Sequence, residues 1–239
     1  MSETEICTNF ITPALEKSSW SKKQVRMNVY FTDGRIIVAG KTVKRGRRNF
    51  ADYILEYKPN IPLAIIEAKD NSHSMGDGMQ QGLEYAEKLK DIPFVFSSNG
   101  DGFKFHDRET GKEINLSLDE FPTTKELWEK YKKYKGITEK IEDTVTADYF
   151  YEPGFKQPRY YQRIAINRTI EAIAKGMKRA LLVMATGTGK TYVAFQTIWR
   201  LKQAGLAKRV LYLADRNILV DQPKNNDLKP LSKIITKIS

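Results

Sequence analysis

Three residues at the ends of two apolar runs could do chemistry on a phosphodiester. Asp52 opens "ADYILEY", and Glu67 and Lys69 close "LAIIEAK". Residues i and i+2 of a strand share a face, so Glu67 and Lys69 point one way and Ala68 the other. A hairpin-like return between the runs sets Asp52 beside Glu67. Two carboxylates with an ammonium next to them make a metal-dependent phosphodiesterase site. Asp52, Glu67 and the Ala68 carbonyl offer Mg2+ the oxygen ligands it prefers, while Lys69 orients the attacking water or offsets developing charge. A same-face Glu–Lys pair on an exposed strand is the ordinary cause of such spacing. Here the run from Leu63 to Ile66 is too apolar for an exposed strand, and charges ending a buried one are costly without partners. The next helical stretch carries "QGLEY", which puts Gln81 and Tyr85 four apart on one face.

A second constellation lies in "LLVMATGTGKT", an apolar run entering a glycine-rich turn. Glycines let backbone N–H groups turn inward around phosphate oxygens, and the following helix N-terminus adds partial positive charge. Gly187, Thr188, Gly189, Lys190 and Thr191 are therefore expected to bind the phosphates of ATP. Lys190 would reach the β- and γ-phosphates, and the Thr191 hydroxyl would ligate Mg2+. The first glycine of the general phosphate-loop pattern is replaced by Met184. Hydrolysis also needs a second acid at a strand end and a group that orients water. The acids after Thr191 are Asp215, Asp221 and Asp227, none an adjacent acidic pair after an apolar strand, so this chain is expected to bind nucleotide without turning it over.

The elements that must position these residues are readable in outline. Ile6, Phe10, Ile11, Leu15 and Trp20 recur at helical spacing. "RIIVAG", "YILEY", "LAIIEAK" and "FVFSS" read as short strands separated by Gly, Pro or Asn. "MGDGMQQGLEYAEKLK" reads as a helix among them, and "DGFKFHD" as a strand after the Asn99-Gly100 turn. The order predicts a small α/β domain over residues 1–120. "TTKELWEKYKKYKGITEKIEDT" is charged and helical without a large apolar face, and predicts a helical linker over 121–152. From 153 to 239 a helix at "YYQRIAINRTIEAIAKGM", a strand at "RALLVMA", a helix at "TYVAFQTIWRLKQAG" and a strand at "RVLYLAD" predict a βαβ unit of a parallel, nucleotide-binding sheet.

The net charge of +11 and pI near 9.5 favour a polyanionic partner such as nucleic acid. The charge is concentrated between Lys22 and Arg48, where Arg45, Arg47 and Arg48 lead directly to Asp52; a DNA contact is expected there. One cysteine, Cys7, excludes an intrachain disulfide, and two histidines with one cysteine argue against a zinc site. No apolar run reaches membrane-spanning length and the N-terminus lacks a secretory pattern, so a cytoplasmic location is the expectation, with no membrane partner.

Taken together, "ITPALEKSSW", "FTDGRIIVAGK", "ADYILEYKPNIPLAIIEAKDNSHSMGDGMQQGLEYAEKL", "FSSNGDGF" and "LLVMATGTGKT…LYLADRNILVDQ" resemble the R subunit of type I restriction enzymes. The resemblance covers essentially the whole chain. It implies a PD-(D/E)xK nuclease domain of restriction-endonuclease-like fold, followed by the first part of a RecA-like superfamily 2 motor domain. The activity it implies is Mg2+-dependent cleavage of double-stranded DNA coupled to ATP-driven translocation, with modification (methyltransferase) and specificity subunits as partners. Gln81 and Tyr85 match the Q-x-x-x-Y pair of RecB-like nucleases, and Gln162 the glutamine by which such motors read adenine. Arg216, with Asp215, matches a motif facing the nucleic-acid backbone, and Glu5 aligns with an acid of the first helix that aids the metal site. Two other readings stay open: a nuclease–helicase of repair or phage defence working without a specificity subunit, and an inactive module that only docks DNA or a partner.

Overall fold

The computed structural model describes residues 1–32, 36–39, 42–45, 48–214, 219–221 and 226–237, with side chains described outside 32–48. It divides into two compact units, Met1–Ile137 and Thr138–Ser239.

The first unit opens with α1 (Glu3–Ile6), a π-helical turn (Cys7–Ile11) and α2 (Thr12–Lys17). Ser2 and Glu5 form a reciprocal capping box at its start. Ile6, Ile11, Leu15 and Trp20 are buried, as their spacing predicts. Eight strands follow in chain order: β1 (Val25–Thr32), β2 (Ile36–Ala39), β3 (Thr42–Arg45), β4 (Arg48–Lys58), β5 (Ile61–Ala68), then after α3 (Met79–Leu89), β6 (Phe94–Ser98), β7 (Phe103–Asp107) and β8 (Lys112–Leu116). Six of them form one sheet in the order β1-β4-β5-β6-β7-β8, and β2 pairs with β3 as a separate hairpin. Among the described residues only the β5–β6 pair is parallel, and α3 is its crossover. Every residue of β5 and β6 is buried, which is why β5 reads as a continuous apolar run rather than an alternation. The edge strand β8 is mostly exposed and carries Lys112 and Glu113, charges that discourage further pairing.

Helix α4 (Thr124–Lys135) starts at a Thr123–Glu126 capping box and stops at Gly136, whose φ of 60° suits a glycine. Within the segment expected as a linker, this helix buries Leu127, Trp128 and Tyr131. Trp128 stacks on Tyr57 of β4 with ring centroids 4.0 Å apart. The lysine-rich majority of the helix conceals this stripe in the sequence, because two aromatic rings carry more contact area than their number suggests.

In the second unit, α6 (Tyr160–Ala174) and α7 (Lys190–Gln203) pack around Ile166, Ile170, Tyr192 and Val193, Phe195 of α7 clusters with Leu228 and Leu231, and α5 (Glu139–Val145) lies against α6. Arg200 on α7 is fully buried. Its guanidinium donates to the carbonyls of Val145 at 2.6 Å and Ala147 at 2.7 Å and to Asn167 Oδ1 at 2.7 Å. It also lies 4.5 Å over the Tyr149 ring. The strands expected at "RALLVMA" and "RVLYLAD" are not formed among the described residues. Leu181 and Val183 are 87% and 88% exposed. A parallel strand exists only when neighbours take up its backbone groups and cover both faces, and here no strand lies alongside either segment among the described residues.

Among the described residues, no helix is long and apolar enough to cross a membrane.

Candidate active sites

The first site grows out of the β4–β5 hairpin. Asn60, with φ of 70°, turns the chain, and its N–H donates to the buried Glu56 carboxylate at 3.0 Å. The strands then pair antiparallel with Tyr53 opposite Ile66. One step further along, Asp52 and Glu67 face each other across the two strands, and Asp52 Oδ2 accepts the Ala68 N–H at 2.8 Å. The same sheet holds Ser97 of β6 beside Glu67.

Helix α3 closes over this point. Gln81 donates through Nε2 to Glu67 Oε2 at 2.8 Å and accepts through Oε1 from Lys69 Nζ at 3.1 Å. The same amide donates to the Tyr85 hydroxyl at 3.2 Å. Asp52, Glu67, Lys69, Gln81 and Tyr85, which the sequence singles out, therefore lie together. The first helix brings Glu3 to the group, 3.3 Å from Lys69 Nζ. Glu5, the acid expected there, is instead engaged by the Ser2 N–H at 2.7 Å and points to the cap.

Glu67 is fully buried, and its Oε1 has no hydrogen-bond partner. Burial, followed by the charge of Asp52, pushes its carboxyl up to about 9, with Lys69 pulling the other way. Asp52 is also raised by burial, against the pull of the Ala68 N–H. Burial, followed by the Glu67 charge, raises the Tyr85 hydroxyl. Two such carboxylates cannot both ionise cheaply at neutral pH unless positive charge joins them. A divalent cation fits that requirement, and the orphaned Glu67 oxygen is a ligand atom without another use. No cluster of three or more His, Cys, Asp or Glu is arranged for a metal among the described residues. The fit is to a divalent cation held by one or two carboxylates, with its other ligands taken from water and phosphate.

The second site is the turn ahead of α7. Gly187 and Gly189 have φ of 76° and 85°, the left-handed region that favours glycine. Gln162 on α6 accepts the Arg159 N–H at 2.9 Å and donates to the Thr188 carbonyl at 2.8 Å, so its side chain grips the loop. Lys190 Nζ donates to the carbonyls of Met184 at 3.1 Å and Ala185 at 3.2 Å. Thr191 sits in the first turn of α7 and is partly buried. Of the residues expected to contact DNA, Arg47 and Arg216 lie outside the described residues, as does Asp215. Arg45 and Arg48 are placed on β3 and β4 by their backbones alone.

Sequence reasoning missed Glu3, Ser97 and the glycines of α3. For Glu3 and Glu5 a signal was present: Ser2 with Glu5 three residues on is a capping box, which assigns Glu5 to the helix end and leaves Glu3 free to face the site.

A sheet that brings an Asp, a Glu and a Lys together on neighbouring strands, and a helical unit with a glycine-rich turn ahead of a helix, resemble the parts of a nuclease and of a nucleotide-binding unit. Comparison with known proteins agrees. Residues 36–114 match the family "Type I restriction enzyme R protein N terminus", and residues 155–237 match "Type III restriction enzyme, res subunit". The chain is 50% identical to the type I restriction enzyme EcoAI endonuclease subunit of Escherichia coli over 244 aligned residues, covering 100% of this chain and 30% of that protein. It is 29% identical to the EcoKI endonuclease subunit of E. coli K12, covering 74% of this chain and 19% of that protein. A solved fragment described as an HsdR subunit of a type I restriction enzyme from Vibrio vulnificus YJ016 superposes with a TM-score of 0.72 at 40% identity, covering 84% of this chain and 38% of that one. The chain matches the N-terminal part of the endonuclease (R) subunits of type I restriction enzymes. It spans about a third or less of the length of the curated relatives it matches.

Proposed function

We propose that the chain carries the DNA-cutting centre of a type I restriction R subunit together with the phosphate loop of its motor. In the whole subunit, double-stranded DNA is cleaved at phosphodiester bonds while ATP hydrolysis drives translocation, and modification and specificity subunits supply methylation and target recognition. The observation that carries the reading is the convergence of Asp52, Glu67, Lys69 and Gln81 on one point of the sheet, with a buried carboxylate oxygen of Glu67 left over. Asp52 and Glu67 would hold Mg2+. When bound, Mg2+ would supply Lewis acidity at the scissile phosphate and a bound water of lowered pKa. Lys69, held by Gln81 and Glu3, offsets the negative charge that builds on the phosphate. Gln81 keeps Glu67 and Lys69 at a fixed separation, so neither side chain has to be ordered during the reaction. In the second unit, Lys190 would exchange its two loop carbonyls for the ATP phosphates, with Thr191 on Mg2+. Gln162 holds the loop from behind through Thr188.

The test uses the full-length subunit assembled with its partners. Asp52→Ala, Glu67→Ala and Lys69→Ala are each expected to abolish DNA cleavage and leave ATP hydrolysis, because the two sites use separate residues in separate units. Loss of ATP hydrolysis in a folded Glu67→Ala subunit, or cleavage that persists in all three variants, would count against the proposal.

A further inference from the structure

Helix α3 has a glycine in its second turn, Gly82, immediately after Gln81. Glycine is a poor residue for a helix interior, since it gives up more backbone freedom than any other. Its position here has a steric cause. A Cβ at residue 82 would lie 2.6 Å from Val95 Cγ1 on β6 and 3.3 Å from Glu67 Cγ on β5. The first of these is shorter than real Cβ contacts, and Val95 is fully buried. Gly78, at the N-terminal cap of α3, repeats the pattern. A Cβ there would lie 2.7 Å from Ser97 Oγ and 3.1 Å from Glu67 Cβ. In place of a side chain, the Gly78 N–H donates to Ser97 Oγ at 3.0 Å. Two glycines one helical turn apart therefore lay the backbone of α3 directly onto the strands that carry Glu67, Val95 and Ser97.

We propose that Gly82 is a positioning residue for the Asp52–Glu67–Lys69 centre: its missing side chain sets α3 at the height from which the Gln81 amide reaches both Glu67 and Lys69. The inference rests on the nuclease reading and deepens it. An amide that donates at 2.8 Å and accepts at 3.1 Å spans two groups of the sheet at once. Lifting the helix by the fraction of an ångström that a methyl group demands breaks or lengthens both bonds, since hydrogen bonds weaken steeply beyond such distances. Gly78, pinned by Ser97, holds the N-terminal end of the same helix, so the lift concentrates at Gln81 and Tyr85.

The experiment compares wild type, Gly82→Ala and the double variant Gly82→Ala/Val95→Ala in the assembled full-length subunit. The double variant removes the Cγ1 atom that the new methyl meets. Gly82→Ala is expected to lower the cleavage turnover at least ten-fold, with the DNA concentration at half-maximal rate and ATP hydrolysis unchanged. The double variant is expected to recover most of that loss. A readout independent of cleavage is the side-chain amide signal of Gln81 in 15N-labelled protein, assigned with Gln81→Ala. It should move toward the position of a solvent-exposed glutamine in Gly82→Ala and return in the double variant. Should Gly82→Ala fail to fold, a folded and active double variant carries the same conclusion. A Gly82→Ala subunit with wild-type turnover overturns the inference, and so does a double variant no better than Gly82→Ala, folded or not. Cleavage that survives Glu67→Ala would instead overturn the nuclease reading itself.

Discussion

Replacing Glu67 by glutamine should make the metal-free protein more stable at alkaline pH while destroying cleavage. The argument starts from the carboxyl of Glu67, fully buried and pushed up to about 9 by burial and the Asp52 charge. In an unfolded chain it titrates near 4.5. Between those two values the folded state holds a proton that the unfolded state has released. Stability then falls as pH rises, by about 1.4 kcal/mol per pH unit. The contribution is complete below the unfolded value and is lost as pH climbs through the folded one. From pH 6 to pH 8 the wild-type protein should lose about 2.7 kcal/mol from this group alone. Glu67→Gln removes the titration, and its amide occupies nearly the same volume. Groups common to both proteins contribute equally and cancel in the difference. The assay is urea unfolding of each protein with EDTA at pH 6, 7 and 8. The stability gap between variant and wild type should widen by about 2.7 kcal/mol over that range. Mg2+ added at a hundred times its dissociation constant should return about 2.7 kcal/mol to the wild type and nothing to the variant. Parallel stability curves for the two proteins would mean that Glu67 is ionised without metal, and the electrostatic reasoning about this centre would fail.

Trp128→Ala removes a buried ring stacked on Tyr57 and should cost the first unit about 3–5 kcal/mol, read as a lowered urea midpoint; an unchanged midpoint would mean that α4 adds nothing to that unit. Neutralising Arg45, Arg47 and Arg48 together should weaken DNA binding equally for all sequences. The slope of log affinity against log salt should fall by up to about 3, and an identical slope would mean that the basic segment does not meet phosphate.

The elements that came through most clearly in the sequence are those whose pattern is set by burial on all sides. β5 and β6 were legible because every residue in them is inside, and an apolar run flanked by turn residues has few other meanings. β1, β3 and β8 are not legible in the sequence. In β1, Met27 and Tyr30 are exposed and Asn28 has a φ of 49°, which breaks the alternation that would mark a strand. β8 is a charged edge. α4 is legible as helix but not as core, because Trp128 and Tyr131 stand among lysines. The segments on either side of the glycine-rich loop have a strand pattern but form no strand among the described residues. Local pattern reports what a segment could pair as, whereas pairing itself depends on neighbours distant in sequence.

The centre was legible to the extent that it obeys strand and helix periods. The i, i+2 relation of Glu67 and Lys69 and the i, i+4 relation of Gln81 and Tyr85 each placed two side chains on one face. The turn between Lys58 and Ile61 sets Tyr53 opposite Ile66, which brings Asp52 to the Glu67 end of β5, where it accepts the Ala68 N–H. What periodicity could not supply is the depth at which one element sits on another. That depth depends on atoms that are absent, the Cβ of Gly78 and of Gly82, and on small polar groups such as Ser97 Oγ that take up a helix end. It decides whether Gln81 touches one group of the sheet or two. A sequence with alanine at residue 82 would show the same motif, Q-x-x-x-Y after an apolar strand ending in E-A-K. On the geometry here it would hold a looser centre, so the spacing of catalytic letters is necessary for this site and the packing beneath them completes it.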